Sequence, residues 1–529
     1  MKTKILFLHP PFPVNHRHKL VIPISPCQIA SYLREKNKDV EIKGLDAHID
    51  ELSDEEVLDR INDYNPDIVA IGYWTCQATY VYGISKKIKK MNDKIMIIHG
   101  GIHATFMGEE ALKSCDVVVV GEAEKTFAEL IRAKQKGISF DKVDGILYKK
   151  DGKIIATKER DLIEDLDELP YPAFDIFDMK KYIESDRLRR LHVVGGKRMP
   201  ILGSRGCPYN CSFCLSPAMW KRRVRWKSPD NVIGQIKRMN EDFGITDFQF
   251  YDDNFLLNRN FLDEICNRMM KLDFDIRWVC LSRASHVIKE KDILPKLKKA
   301  GCIGIEMGLE TPDNKILEKI NKEQDVDLIG KAVKLQREAG LNPLFTIMVF
   351  NPGETITTIR KQREYIEKNI PESLKYDNFG SASYMTLGQF ATPPPGTPFY
   401  RERKNEGVLL LDDWSDAFHH QINFLPNSFL ASRPLAAKQL SRESIDHCID
   451  AAQKSLFKYF PGDKDVEIEN KAVMRQIVPK YYSLSDGKRN IKEIAEKISK
   501  DTRGDSARDL RFIALATIVL SQDRTITEA

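Results

Sequence analysis

Along the first part of the chain, short apolar runs alternate with segments of helical periodicity: Lys4-Ile5-Leu6-Phe7-Leu8, Val40-Glu41-Ile42, Ile68-Val69-Ala70-Ile71, Ile95-Met96-Ile97-Ile98 and Val117-Val118-Val119-Val120. Apolar residues at consecutive positions suit strands covered on both faces, and helix-length separations suit crossover connections, so these five runs predict a parallel sheet. Helix-start signals fall between them: Ser25-Pro26 ahead of one helix, and Ser53 with Glu56, a capping box, ahead of the next. An α/β doubly wound domain over residues 1–136 follows. Sheets of this kind bind ligands at the carboxyl ends of their strands, and Gly72, Gly100-Gly101 and Gly121 stand at those ends.

The pattern then changes. Residues 137–196 hold a hairpin, Ile146-Leu147-Tyr148 and Ile154-Ile155-Ala156 about Asp151-Gly152, followed by the proline-punctuated Leu169-Pro170-Tyr171-Pro172, and read as a connector. From 197 to 400 the β/α alternation restarts. Strands are expected at Pro200-Ile201-Leu202, Phe248-Gln249-Phe250, Ile276-Arg277-Trp278-Val279, Ile303-Gly304-Ile305-Glu306 and Phe345-Thr346-Ile347-Met348-Val349, with a sixth near Ser383-Tyr384-Met385. This predicts a second parallel structure, open or closed into a partial six-stranded barrel, ending at Pro393-Pro394-Pro395-Gly396. Residues 401–529 read as mainly helical. Within them a turn at Asp486-Gly487 precedes an amphipathic helix with Ile491, Ile494, Ala495 and Ile498 on one face, which suits a small recognition module or a helical cap over the barrel.

Composition narrows the function classes. The 529 residues are 42% hydrophobic, enough for several cores, and 82 basic against 77 acidic residues leave a diffuse net charge of +5 with no nucleic-acid footprint. No apolar run reaches the ~18 residues of a membrane span, and Met1-Lys2-Thr3-Lys4 leads straight into a strand without the pattern of a signal peptide. Ten cysteines, three of them between Cys207 and Cys214, point to cofactor ligation in a reducing cytoplasm rather than to a disulfide framework.

The strongest chemical signal is Gly206-Cys207-Pro208-Tyr209-Asn210-Cys211-Ser212-Phe213-Cys214, directly after a strand. Three thiolates at this spacing are expected to converge on one point. Each iron of a four-iron cluster normally takes a cysteine, so three cysteines leave one iron open for chemistry. Two other readings are a zinc site with a distant fourth ligand, and a cluster completed by Cys280 or Cys302. Cys27, Cys76, Cys115, Cys266, Cys280, Cys302 and Cys448 have no partner at ligand spacing and read as packing residues.

The C-x-x-x-C-x-aromatic-C motif at Cys207, Cys211, Phe213 and Cys214 resembles the signature of the radical S-adenosylmethionine (SAM) superfamily. The resemblance implies a [4Fe-4S] cluster whose free iron chelates SAM, reductive cleavage to methionine and a 5′-deoxyadenosyl radical, and Phe213 beside the adenine. It also draws in strand-end segments: Tyr251-Asp252-Asp253, Arg283, Gly308-Leu309-Glu310 and Pro352-Gly353-Glu354-Thr355. Asp252, Asp253, Arg283 and Glu310 are thereby candidates for holding SAM.

A flavodoxin-like domain ahead of such a barrel resembles the cobalamin-binding branch of the superfamily, over roughly the first 400 residues. The resemblance implies cobalamin on the strand ends facing the cluster, with candidate contacts at Tyr73, Thr75, Gly100, Gly101, His103, Ala104, Thr105, Gly121, Glu122 and Glu124. Glycines let backbone approach a flat corrin; the plain alternative is that they only turn the chain. The loop after the first strand, His9-Pro10-Pro11-Phe12-Pro13, lacks the D-x-H-x-x-G motif that supplies a lower cobalt ligand. Asp46-Ala47-His48 copies only its start, after the second strand, so a cobalt without protein histidine is expected.

These resemblances imply an enzyme that methylates an unactivated carbon through methylcobalamin and the 5′-deoxyadenosyl radical. Members of the same architecture also carry out ring formation and rearrangement, including anaerobic magnesium-protoporphyrin ester cyclisation. From another class, a non-catalytic cobalamin or redox sensor would need no SAM-binding residues. The implied partners are a small-molecule or peptide substrate and an electron donor such as flavodoxin or ferredoxin, with no nucleic acid.

Overall fold

The computed structural model describes residues 2–12, 22–184, 198–349, 351–354, 358, 361–362, 364–365, 389–390, 393–405, 435–437 and 526–528. Its first sheet runs β1 (Thr3–His9), β2 (Val40–Asp46), β3 (Ile68–Gly72), β4 (Met96–Gly100), β5 (Val117–Val119), β6 (Ile146–Lys150) and β7 (Lys153–Ala156). The spatial order is β2-β1-β3-β4-β5-β6-β7, with the first five strands parallel. That order is flavodoxin-like, as expected, and places a topological switch point beside β1 and β3. Alternate residues of each strand feed opposite faces: Ile5, Phe7, Ile68 and Ala70 join one core, while Leu6, Leu8, Val69 and Ile71 join the other.

Local signals act largely as read. Ser53 caps the helix Asp54–Tyr64 reciprocally with Glu56, at 3.2 and 2.8 Å. Ser25-Pro26, expected ahead of a helix, lies inside the first turn of Ile24–Lys36, which begins after Pro23. The hairpin turns through Asp151 and Gly152, both at positive φ, and pairs antiparallel with β5, so it extends the first sheet.

The second sheet comprises β8 (Arg198–Ile201), β11 (Asp247–Phe250), β12 (Arg277–Ser282), β13 (Cys302–Glu310), β14 (Asn342–Val349) and β15 (Gln389–Phe390). Between β8 and β11 lies a short antiparallel pair, β9 (Ser204–Arg205) with β10 (Arg225–Trp226). The six long-sheet strands are all parallel and ordered by sequence, an open partial barrel. Ser383-Tyr384-Met385 lie outside the described residues, and the sixth strand is seen at Gln389–Phe390. Cys448 and the amphipathic helix expected over residues 491–498 also lie outside them.

One apolar core runs without a break through the first sheet, the connector residues Ile163, Leu166, Leu169, Phe174 and Phe177, and the barrel residues Phe248, Phe250 and Trp278. The two sheets are therefore packed together rather than strung on a linker. No helix among the described residues is long and apolar enough to cross a membrane.

Candidate active site

The cysteine loop leaves β9 through Gly206, whose φ of +106° is open only to glycine. The loop is fastened along its length. Asp253 accepts from the Gly206 amide at 3.2 Å and from Ser216 Oγ at 2.9 Å, and Arg222 Nε donates to the Pro208 carbonyl at 2.9 Å. Asn321 Nδ2 donates to the Asn210 carbonyl at 2.7 Å, the Ser212 amide to the Ile320 carbonyl at 3.0 Å, and the Phe399 amide to the Ser212 carbonyl at 3.1 Å. The loop is thus held by groups from the far ends of the barrel before any metal binds.

Donors also reach the sulfurs: Arg283 Nη1 lies 3.4 Å from Cys211 Sγ, and the Ser216 amide 3.4 Å from Cys214 Sγ. Burial raises the Cys207 thiol and pushes Cys214 up to about 12, so these cysteines stay protonated unless a metal displaces the proton. Among the described residues no group of three His, Cys, Asp or Glu side chains is placed to hold a single metal ion. Arg283 also stacks on Tyr209, 3.7 Å above the ring, and Tyr209 meets His286 Nε2 at 2.9 Å.

Of the residues expected to hold SAM, the structure gathers Phe213, Arg283 and Glu310 at the loop. Glu310 ends β13 at φ +59°, beside a register shift, and pairs with buried Lys322. Lys322 Nζ in turn lies 5.6 Å from the Phe213 ring centroid. Lys322 went unread because it follows a helix with no strand-end signal to mark it. Asp252 and Asp253 accept hydrogen bonds from the loop and from the residues just before it. Asp252 accepts from the Gly203 amide at 3.0 Å and Ser204 Oγ at 2.5 Å, and burial raises it to about 7.

At the carboxyl ends of β3, β4 and β5 the backbone is laid bare. A Cβ on Gly72 or Gly121 would meet nothing within 4 Å, and Gly101, at φ +83°, is exposed. Thr105 Oγ1 donates to the Gly101 carbonyl at 2.9 Å and accepts from the Gly121 amide at 3.1 Å, tying two of these turns together. Trp74, which the sequence reading passed over, is 50% exposed beside Thr75. The fit is to a broad, flat group resting on backbone.

Tyr73, His103 and Ala104 lie beneath that face, each 1% exposed or less. Tyr73 Oη meets His99 Nδ1 at 3.3 Å and His103 Nε2 meets Tyr82 Oη at 3.1 Å; burial lowers His103 to about 4. The carboxylates of Glu122 and Glu124 are engaged by Arg205 and Arg225. His48 is buried with Nδ1 accepting from the Phe12 amide at 3.3 Å.

Comparison with known proteins agrees with this geometry. A family model for the B12 binding domain matches residues 14–131, and one for the Radical SAM superfamily matches residues 201–366. The chain is 32% identical to an uncharacterized methyltransferase of Pyrococcus horikoshii, over 74% of this chain and 80% of that one. It is 29% identical to the anaerobic magnesium-protoporphyrin IX monomethyl ester cyclase of Rubrivivax gelatinosus, over 68% of this chain and 64% of that one. The solved structure of OxsB, a cobalamin-dependent S-adenosylmethionine radical enzyme with aqua-cobalamin and SAM bound, shares the fold at a TM-score of 0.63 and 16% identity, covering 98% of this chain and 79% of that one. The chain belongs to the radical SAM superfamily, in the branch that carries a B12-binding domain. Its cofactors are a [4Fe-4S] cluster, SAM and cobalamin, and it is an enzyme.

Proposed function

We propose that this enzyme methylates an unactivated carbon of a small-molecule or peptide substrate, using SAM twice, once as methyl source and once as radical source. The observation that carries the reading is the presence in one chain of two platforms, a cysteine loop with three ligands and a bare strand-end face. A radical generator alone needs no corrin, and corrin-dependent transfer to a nucleophile needs no radical. The methyltransferase name of the Pyrococcus relative supports it. When bound, the cluster and SAM supply a hydrogen-abstracting radical, and the corrin supplies a transferable methyl group.

The chain's own residues have separate tasks in this reading. Cys207, Cys211 and Cys214 would hold the cluster and leave one iron open to SAM. Phe213 would hold the adenine, and Glu310 with Lys322, which lies beside the Phe213 ring, would hold the polar part of SAM. Arg283 donates to Cys211 Sγ and stacks under Tyr209. Asp252 and Asp253 hold the loop rather than the methionyl amine. Gly72, Gly100, Gly101, Gly121, Thr75 and Thr105 form the corrin floor, while Tyr73, His103 and Ala104 support it from below. A reduced flavodoxin or ferredoxin supplies electrons in the cytoplasm, a compartment consistent with the nine cysteines that are free among the described residues.

The test is turnover with reductant and methyl-labelled SAM on candidate substrates. Label entering a product carbon, with 5′-deoxyadenosine and S-adenosylhomocysteine formed together, supports methylation. Product of unchanged mass, with 5′-deoxyadenosine alone, identifies a cyclase or rearrangement enzyme and overturns the methylase reading.

A further inference from the structure

The loop bearing Cys207 and the strand-end face of the first domain meet at a buried ion-pair network. Glu122 follows Gly121 directly and caps the β5 end of the first domain. Its Oε1 lies 2.6 Å from Arg205 Nη1 and 3.0 Å from Arg225 Nη1, and its Oε2 lies 2.8 Å from Arg225 Nη1. Glu122 Oε2 also accepts from the Ile163 amide at 2.7 Å, and Glu124 Oε1 lies 2.6 Å from Arg205 Nη2. Arg225 Nη1 donates to the Ile163 carbonyl at 2.7 Å, so the connector is bound into the same knot.

The placement is specific. Arg205 and Arg225 face one another across the β9–β10 pair, where two like charges repel unless an anion lies between them. Glu122 supplies that anion from the other domain, with side chains 4% exposed on both Glu122 and Arg225. Both arginines outweigh the cost of burying Glu122 and hold its carboxyl below the usual range. Arg205 is followed by Gly206 and Cys207, and Glu122 is preceded by Gly121, which Thr105 fixes to the strand-end face. The Arg205–Glu122 ion pair therefore links the chain of the cluster loop directly to the chain of the corrin floor.

We propose that Glu122, Glu124, Arg205 and Arg225 form a positioning bracket that sets the separation of the cluster from the corrin. The bracket touches neither cofactor. Its effect is geometric: with it, both platforms share one frame; without it, the amino end of the cluster loop is released from the first domain while the other loop contacts remain. The inference rests on the assignment of cluster and corrin to these platforms and not on methyl transfer.

The test uses the full chain loaded with both cofactors, the cluster reduced and the corrin as cob(II)alamin, and reads the magnetic dipolar coupling between the two paramagnets by electron paramagnetic resonance. Wild type is expected to show one narrow splitting. Glu122→Gln combined with Glu124→Gln should broaden or erase it while iron and corrin contents stay at wild-type levels, a result that a merely structural role does not give. Should the double variant fail to retain its cofactors, Arg205→Lys, which keeps the charge but loses the forked contact to Glu122 and Glu124, is read in the same way. An unchanged narrow splitting in the variant that retains both cofactors overturns the bracket. Failure of the methylation test leaves this measurement unaffected, since no substrate is present.

Discussion

Gly206→Ala is the smallest change that tests how the cysteine loop is built. A Cβ at this position would lie 1.9 Å from the Arg223 carbonyl oxygen and 3.3 Å from the Trp220 Cβ. The oxygen belongs to backbone, so relief requires the loop to move until the gap exceeds 3.0 Å. The φ of +106° adds strain of about 1–3 kcal/mol for a residue with a side chain. Cluster ligation tolerates errors of only about 0.2 Å in ligand distances, and Cys207 is the next residue. The variant should therefore melt about 2–10 °C lower as apoprotein and, after anaerobic reconstitution, retain well under a full cluster, with SAM cleavage falling in step. Gly234→Ala is the control: it lies in the helix Pro229–Phe243 with nothing within 4 Å of the new Cβ, and should gain about 0.5–1 kcal/mol. Full iron content and an unchanged melting temperature in Gly206→Ala would refute the reasoning.

Gly72→Trp puts an indole over the proposed corrin floor at a position where the new Cβ meets nothing within 4 Å; corrin absorbance after desalting should be lost, and full retention would remove the face from consideration. Gly101→Trp is a poorer test, because a Cβ there meets Tyr73 backbone at 2.7 Å. Burial raises Asp252 from 3.8 to about 7, so the folded chain holds that proton more tightly than the unfolded chain and stability falls as pH rises across this window. Asp252→Asn should flatten that part of the melting-temperature profile; a wild-type slope in the variant contradicts the assignment. Glu310→Gln leaves Lys322 buried without its anion, a change expected to cost about 3–5 kcal/mol and to weaken SAM binding in equilibrium dialysis. Wild-type stability and affinity would show that the pair is incidental.

Most strands of both sheets were legible in the sequence because they are short, largely apolar segments at crossover spacing, and the capping box at Ser53 and Glu56 is a local device that needs no tertiary partner. The two-residue strands β9 and β10 carry no periodicity to read. The cysteine loop was legible from spacing alone. What surrounds it was not, because its partners come from distant strands: Asp253 is 47 residues from Gly206, and Asn321 is 111 from Asn210. Glu122 and Glu124 were placed at the right strand end but given to the corrin, since nothing local reveals that their partners lie 81 to 103 residues on. Inward orientation was equally hidden at Tyr73 and His103, where the polar side chain finds buried partners in His99 and Tyr82.

The most direct measurement of the central claim is electron–nuclear double resonance on the reduced, reconstituted enzyme with SAM labelled with nitrogen-15 at its amino group. A cluster held by Cys207, Cys211 and Cys214 with one iron left open predicts a nitrogen-15 hyperfine coupling that gives way to a nitrogen-14 pattern when unlabelled SAM replaces the label, and that is lost when the three cysteines are changed to alanine. A reduced cluster that shows no coupling to the SAM nitrogen would contradict it.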